Sequence, residues 1–183
     1  MKMAARDEDA ARSGRVRRAG PAVKGGRGVK FQKTITVNRP VQEVFAFWRH
    51  LENVPKFMKT VHKVTSNGGN ITHWVIKTGG MTVEWDAETI EARPNEVLSW
   101  QSLPAADVDN AGSVWFRPAP GNRGTIVKVS LKYAPPLGKA AVKIAKLFGK
   151  NAEALIEDDL FRFKSLIETG EIPTTEGQPR GKG

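Results

Sequence analysis

Residues 81–104 read MTVEWDAETIEARPNEVLSWQSLP. Two runs of alternating character flank a proline-asparagine turn. In the first, Val83, Trp85 and Ala87 fall on one side, and Thr82, Glu84, Asp86 and Glu88 on the other. A period of two belongs to a strand, because successive side chains of a strand point to opposite faces. In the second run Leu98 and Trp100 share a face, opposite Val97, Ser99 and Gln101. The intervening Arg93-Pro94-Asn95-Glu96 has turn chemistry. A turn that short makes its strands antiparallel, since parallel neighbours need a crossover of a dozen or more residues.

The same grammar extends in both directions. Upstream, VHKVTS (61–66) ends at NGGN, and ITHWVIKT (71–78) ends at a glycine pair; both are hairpin signals. Downstream, an acidic and polar loop, AADVDNAG (105–112), precedes SVWFRPAP (113–120). After GNRG comes TIVKVSLKYAPP (125–136), whose Val127, Val129, Leu131 and Tyr133 alternate with Lys128, Ser130 and Lys132. Nearer the start, Phe31, Lys33, Ile35 and Val37 oppose Gln32, Thr34 and Thr36. With that run the count of strands is seven.

Helical spacing interrupts the strands twice. In PVQEVFAFWRHLENVPKFM (40–58), Val41, Val44, Phe45 and Trp48 lie at steps of three and four. Asn38, two residues before Pro40, is a helix-start signal, and Pro55 breaks the run. One helix is expected over about 40–50 and a short helical turn over 51–58. After the last strand, Ala141, Ile144, Ala145 and Phe148 resume the spacing. Ala152, Leu155, Ile156, Leu160, Phe163, Leu166 and Ile167 continue it. Gly149 and Asn151 predict a break, with Asn151 as N-cap and Glu153 favourable to the helix dipole. The final helix then covers 152–169 and is roughly 27 Å long at 1.5 Å per residue. Gly170 is its expected C′ residue, and Pro173 bars resumption. The expected pair Asp158 and Arg162 lies at i,i+4 on its solvent side. Strand, two helices, six strands and a helix make an α+β protein.

Composition narrows the function classes. A length of 183 residues suits one domain, residues 30–170, between tails 1–29 and 171–183. The absence of cysteine excludes disulfides and thiolate metal sites, and a cytoplasmic setting is expected. Apolar runs stay far below the roughly 20 residues of a membrane span, and the N-terminus lacks the apolar core of a secretory signal. The net charge is +10, yet residues 1–30 hold nine Lys/Arg against three acids and so carry +6 of it. This Gly-, Ala- and Arg-rich stretch has too little apolar surface to offset its ordering entropy and is expected to be disordered. As a partner surface it suits nucleic acid or an anionic membrane.

Strand parity nominates the inner wall. Trp74, Trp85, Trp100, Phe116 and Tyr133 face in from the sheet, against Leu155, Ile156, Leu160, Phe163 and Ile167 of the last helix. These residues fill a core or line a pocket for a hydrophobic, ring-containing ligand. Trp115 faces out. Catalytic signals are sparse. His50, His62 and His73 lack ligand-like spacing, so no metal site is expected and no cofactor is implied. Glu84, Asp86 and Glu88 alternate along an outer face, where solvent suits them better than acid–base work. No nucleophile, base and orienting group fall together, so no catalytic residue is assigned. GNRGT lacks the glycine spacing and following lysine of a phosphate loop.

The element order and the local wording carry a resemblance. TITVNRPVQEVFAFWRHLENVPKFM, VEWDAETIEARPNEVLSWQSL, DNAGSVWFRPAPGNRGTIVKVSLKYAPP and DDLFRFKSLIETGEIPTTEGQP resemble bacterial polyketide cyclase/dehydrase-like proteins of the START/Bet v 1-like (SRPBCC) superfamily. The resemblance spans about residues 29–180. It implies the helix-grip fold, a curved seven-stranded antiparallel sheet around a long C-terminal helix with a cavity between. It also implies binding of a hydrophobic small molecule (lipid, isoprenoid or polyketide-like) by a carrier or sensor. Two further expectations stand beside that one: a polyketide cyclase or dehydratase, and a macromolecule-binding module acting through its basic N-terminal tail. Fold alone does not choose among them.

Overall fold

Seven alternating runs joined by short turns leave one face of each strand apolar, and pairing them side by side buries that face once. The computed structural model describes residues 29–172 except 79, 105 and 135–151. The strands are β1 (Val29–Val37), β2 (Val61–Ser66), β3 (Ile71–Thr78), β4 (Met81–Arg93), β5 (Val97–Ser102), β6 (Asn110–Pro118) and β7 (Thr125–Tyr133). They form one sheet in the order β1-β7-β6-β5-β4-β3-β2, antiparallel at every pairing. From β2 to β7 neighbours in sequence are neighbours in space. Only β1 joins out of turn, closing on β7. Helix α1 (Val41–Trp48), a 3-10 turn (Leu51–Lys56), a second, three-residue 3-10 turn (Pro120–Asn122) and helix α2 (Ala152–Thr169) complete the described elements. This is the expected α+β helix-grip arrangement. Ala141, Ile144, Ala145, Phe148, the break at Gly149 and Asn151, and most of both tails lie outside the described residues.

Several boundaries differ from expectation for local reasons. β6 begins at Asn110, inside the stretch read as loop, because Asn110, Ala111 and Gly112 pair with Tyr133, Lys132 and Leu131. α1 begins after Pro40 without a side-chain cap. The N–H of Asn38 instead donates to the Glu168 carboxylate of α2 at 2.6 Å. Gly124 is fixed by a close approach: its φ is +89°, and a Cβ there would lie 2.0 Å from the Val37 carbonyl oxygen. That contact brings the β6–β7 turn against the β1–α1 link.

α2 is held to the sheet by both packing and polar ties. Ala152, Ile156, Asp159, Leu160 and Phe163 form its buried stripe. Phe163 is wholly buried and meets the rings of Phe47, Trp48 and Phe57 at centroid distances of 5.5, 5.3 and 5.3 Å. Lys33 is the charged member of β1's inner set, and it reaches Glu157 at 3.0 Å. Donating that hydrogen bond to the Glu157 carboxylate raises the Lys33 pKa. At the far end, Arg39 Nε donates to the Ile167 carbonyl at 2.8 Å. Burial pushes the Glu168 carboxyl up, but the Asn38 N–H, Lys164 and Arg39 outweigh it and hold the group below the usual range. Gly170 takes φ +79°, and its N–H donates to the Leu166 carbonyl at 2.9 Å, as a C′ glycine should. Arg162 does not pair with Asp158; its Nε donates to the Phe57 carbonyl at 2.9 Å, drawing the side chain toward the protein.

Candidate functional site

The sheet register gathers three indoles. Trp74 of β3 lies opposite Trp85 of β4, and their rings stack at 6.1 Å with a 9° angle between planes. Trp100 of β5 lies opposite Gly112 of β6. Its ring covers the glycine so closely that an added Cβ would sit 2.2 Å from it. Placed there, Trp100 stacks on Trp74 at 6.1 Å and 16°, so Trp74 is the middle ring. At the other edge Phe31 of β1 and Tyr133 of β7 stack at 5.9 Å and 15°.

A cavity lies between these two aromatic groups. Its sheet-side wall is Phe31, Trp74, Ile76, Trp85, Trp100, Ala111, Val129, Leu131 and Tyr133. Trp48 of α1, Val54 of the 3-10 turn, then Met58, Thr60 and Val61, close another side, and Val108 a third. Asn110 and Lys132 add polar groups. The room inside is about 90 Å³, and the empty space reaches about 790 Å³ when the solvent-open mouth is counted.

The polar groups in this wall differ in how they are satisfied. Trp74 Nε1 donates to Thr72 Oγ1 at 2.9 Å, and Asn110 Nδ2 donates to the Val108 carbonyl at 3.0 Å. Burial raises the Tyr133 pKa above its ordinary value, so the phenol keeps its proton at neutral pH. Trp48 and Trp85 are 3% and 8% exposed, and neither indole N–H has a hydrogen-bond partner among the described residues.

The ten residues nominated for the wall separate into four groups. Trp74, Trp85, Trp100 and Tyr133 line the cavity. Phe116, Ile156, Leu160 and Phe163 are buried but outside it; Phe116 meets Phe45 edge-on at 5.5 Å. Ile167 is half-buried at the edge of the core. Leu155 is a correction: it is 37% exposed. On a 3.6-residue period it lies about 100° from Ile156, off the stripe that Ala152, Ile156, Asp159 and Phe163 define. α2 contributes no residue to the cavity, because Phe47, Trp48 and Phe57 already fill the space against Phe163.

Other residues escaped the sequence reading. Trp48 was legible as the apolar face of α1, but nothing in its spacing aims it at β4. Ala111 lay in the supposed loop. Asp159, 4% exposed, sits on the buried stripe of α2 and accepts the Lys59 N–H at 3.1 Å. Burial pushes its carboxyl up to about 6, against the lowering effect of Lys59 and Arg162.

The outer face of the sheet carries the remaining chemistry-bearing groups. His73 Nδ1 lies 2.9 Å from Asp86 Oδ1, and Nε2 lies 3.7 Å from Glu84. All three are partly or wholly exposed, as parity predicts. Trp115 is half-buried with Lys128 Nζ 5.6 Å from its ring centroid. Val97, Ser99 and Ser113 were expected toward solvent but are buried, and the two hydroxyls bond each other at 2.8 Å. Among the described residues no group of three His, Asp or Glu side chains gathers to hold a metal ion. No helix among them is long and apolar enough to cross a membrane.

Comparison with known proteins agrees with this architecture. A crystal structure from Deinococcus radiodurans is 32% identical, with a TM-score of 0.64 over 78% of this chain and 99% of its own. The Zhui aromatase/cyclase of a Streptomyces species is 12% identical, with a TM-score of 0.60 over 80% of this chain and 100% of its own. A START superfamily protein from Mycobacterium smegmatis is 14% identical, with a TM-score of 0.58 over 75% and 98%. At 12% and 14% identity the last two share the fold alone. Residues 37–161 match the family described as polyketide cyclase / dehydrase and lipid transport. With that span covering most of the described chain, the protein belongs to the polyketide cyclase/dehydrase and lipid transport family.

Proposed function

We propose that this protein binds a hydrophobic small molecule in the cavity beside the Trp74-centred stack, as a carrier or sensor. The observation that carries the reading is the aromatic cavity itself, walled by Trp74, Trp85 and Trp100 on one side and by Phe31 and Tyr133 on the other. Apolar surface taken from water gains about 25 cal/mol per Å², so a ligand burying roughly 200 Å² gains about 5 kcal/mol before the costs of association. Lipids, isoprenoids and polyketide-like rings all supply such surface.

The room of about 90 Å³ is smaller than the roughly 300–1,000 Å³ of ordinary ligand pockets. A ligand larger than one or two rings therefore enters only if part of the lining gives way. Met58 and Thr60 line the cavity, and α2 ties the residue before each of them through Arg162 and Asp159.

The test uses native mass spectrometry of freshly purified protein, followed by titration with the neutral probe N-phenyl-1-naphthylamine. A co-purified small molecule, or a saturable rise in probe fluorescence that Trp74→Ala weakens about tenfold or more, is the expected result. Absence of both bound mass and saturable probe binding would sink the reading.

A cyclase or dehydratase is the second reading, favoured by one observation. Tyr133 places a protonated hydroxyl in a largely apolar wall that also holds Thr60, Asn110 and Lys132, a polar set suited to orienting a carbonyl of a folded chain. Loss of turnover in Tyr133→Phe with ligand binding retained would favour it over simple carriage. The basic N-terminal stretch supports a separate contact with nucleic acid or an anionic membrane.

A further inference from the structure

The outer face of the sheet is divided by charge. On β4 it carries Glu84, Asp86 and Glu88, whereas β6, β7 and β1 contain no acidic residue at all. The register sets Arg117, Ile126 and Thr36 in one row across these three strands and Trp115, Lys128 and Thr34 in the next. Lys30 begins the same face of β1, six residues from Thr36 and so about 20 Å away at 3.3 Å per residue. Cations thus mark a track across the face. At its Lys30 end stands the Arg-rich segment that precedes β1. A groove of about 480 Å³ opens beside Trp115, with Arg93, Glu96, Arg117, Ile126 and Lys128 around it. Arg93 is held by Glu91 and Glu96 at 3.0 and 2.9 Å. Arg117 is exposed, and among the described residues neither it nor Lys128 meets a carboxylate.

Such a face complements an extended polyanion, and the ring among the charges indicates which kind. Lys128 Nζ stands 5.6 Å from the centre of the Trp115 ring. A surface cation–π contact is weaker than the stacking of a nucleobase on an indole. A base can therefore take the place of the ammonium over the ring, while Lys128 turns on its flexible stem to an adjacent phosphate. Only unpaired bases are free to do so. A bilayer fits less well, because an aromatic ring that enters lipid stands beyond its cations, and Trp115 is half-buried beneath one. We propose that the outer face of β6, β7 and β1 binds single-stranded nucleic acid, with phosphates along Arg117, Lys128 and Lys30 and one base on Trp115. Exposed Gln32, Thr34 and Thr36 offer hydrogen bonds between the cations. The site is independent of the cavity. It extends onto the folded body the contact ascribed to the basic N-terminal stretch.

Fluorescence anisotropy of a labelled oligothymidylate of about twelve nucleotides tests this on the full chain. Trp115→Leu keeps apolar bulk; it should weaken binding about tenfold and leave the salt dependence unchanged. Binding of the same strand annealed to its complement should not respond to Trp115→Leu. The double variant Arg117→Ala, Lys128→Ala should lower the slope of log K against log salt by about 1.4, at roughly 0.7 per phosphate neutralised on a single strand. Thr34→Glu sets a carboxylate beside Lys128 at an exposed position and should also weaken binding; it stands in for Trp115→Leu should that change disturb the sheet. Binding of N-phenyl-1-naphthylamine should be the same in all these proteins, so the cavity reading stands or falls separately. No binding of the oligonucleotide to the full chain overturns the inference. Binding that every variant leaves unchanged also overturns it and assigns the contact to the N-terminal stretch alone. Phosphatidylserine vesicles that bind more tightly than the oligonucleotide, and lose affinity in the same variants, would make this face a membrane surface and overturn the inference as well.

Discussion

Asp159 is a carboxylic acid on the one stripe of α2 that meets no solvent, and its chemistry sets a pH dependence. Its folded-state pKa, pushed up to about 6 mainly by burial, lies above the 3.8 of the unconstrained group. The folded protein therefore binds this proton more tightly than the unfolded chain. The carboxyl costs nothing below the lower value, and stability falls as pH rises from about 4 through 6. At most about 3 kcal/mol is lost, at 1.36 kcal/mol per unit. Asp159→Asn keeps an oxygen to accept the Lys59 N–H and removes the charge. Thermal unfolding should show the variant more stable than the parent at pH 7.5 and nearly equal to it at pH 4. A gap that does not change with pH would assign the effect to something other than charge. Single residues also mark the limit of reading by pattern. Strand parity placed Trp74, Trp85 and Trp100 inward, because a strand has two faces and each residue must take one. A helix offers a continuous angle, so Leu155, one step off the stripe, was assigned inside and lies out, while Asp159 was overlooked because it is polar.

At the scale of elements, α2 is tied to the segment that carries two cavity-lining residues. Arg162 holds the Phe57 carbonyl and Asp159 holds the Lys59 N–H, one helical turn apart on the same helix. The cavity-lining residues Met58 and Thr60 follow directly on these two anchor points. Arg162→Ala should lower stability by about 1–2 kcal/mol, the worth of a charged hydrogen bond to a backbone carbonyl. It should also speed probe entry, measured by stopped-flow fluorescence, more than it changes affinity at equilibrium. An unchanged entry rate would mean the ligand takes another route. All seven strands, both described helices and the 3-10 turn after α1 were legible, because each has a period and a stop signal. The boundary that failed, the start of β6, lies where the pattern is silent. Asn110, Ala111 and Gly112 show no alternation of polarity, and Gly112 is in the strand because a neighbouring indole needs its surface.

For the whole molecule, charge and fold are separable. Most of the +10 net charge lies in residues 1–30, while the described sheet and helices form one core without them. Deletion of residues 1–28 should leave the thermal midpoint nearly unchanged and abolish sedimentation with phosphatidylserine vesicles at low salt, an interaction that added salt weakens. Vesicle binding that survives deletion would move the contact to the body. The location of the cavity was the largest feature that sequence could not supply. Parity says which side chains face inward, but whether facing groups meet or leave a gap depends on how α1 and the 3-10 turn sit over the sheet. In this molecule they fill the space under α2 and leave the void under the tryptophans.

The indole stack has an optical consequence as well as a structural one. Nearly parallel chromophores about 6 Å apart couple their excited states, and the coupling depends steeply on spacing and mutual angle. The three rings of Trp74, Trp85 and Trp100 should therefore imprint an exciton couplet on the circular dichroism of the unlabelled protein. A guest that parts or tilts the rings will change its sign or amplitude, making the cavity wall its own reporter of occupancy.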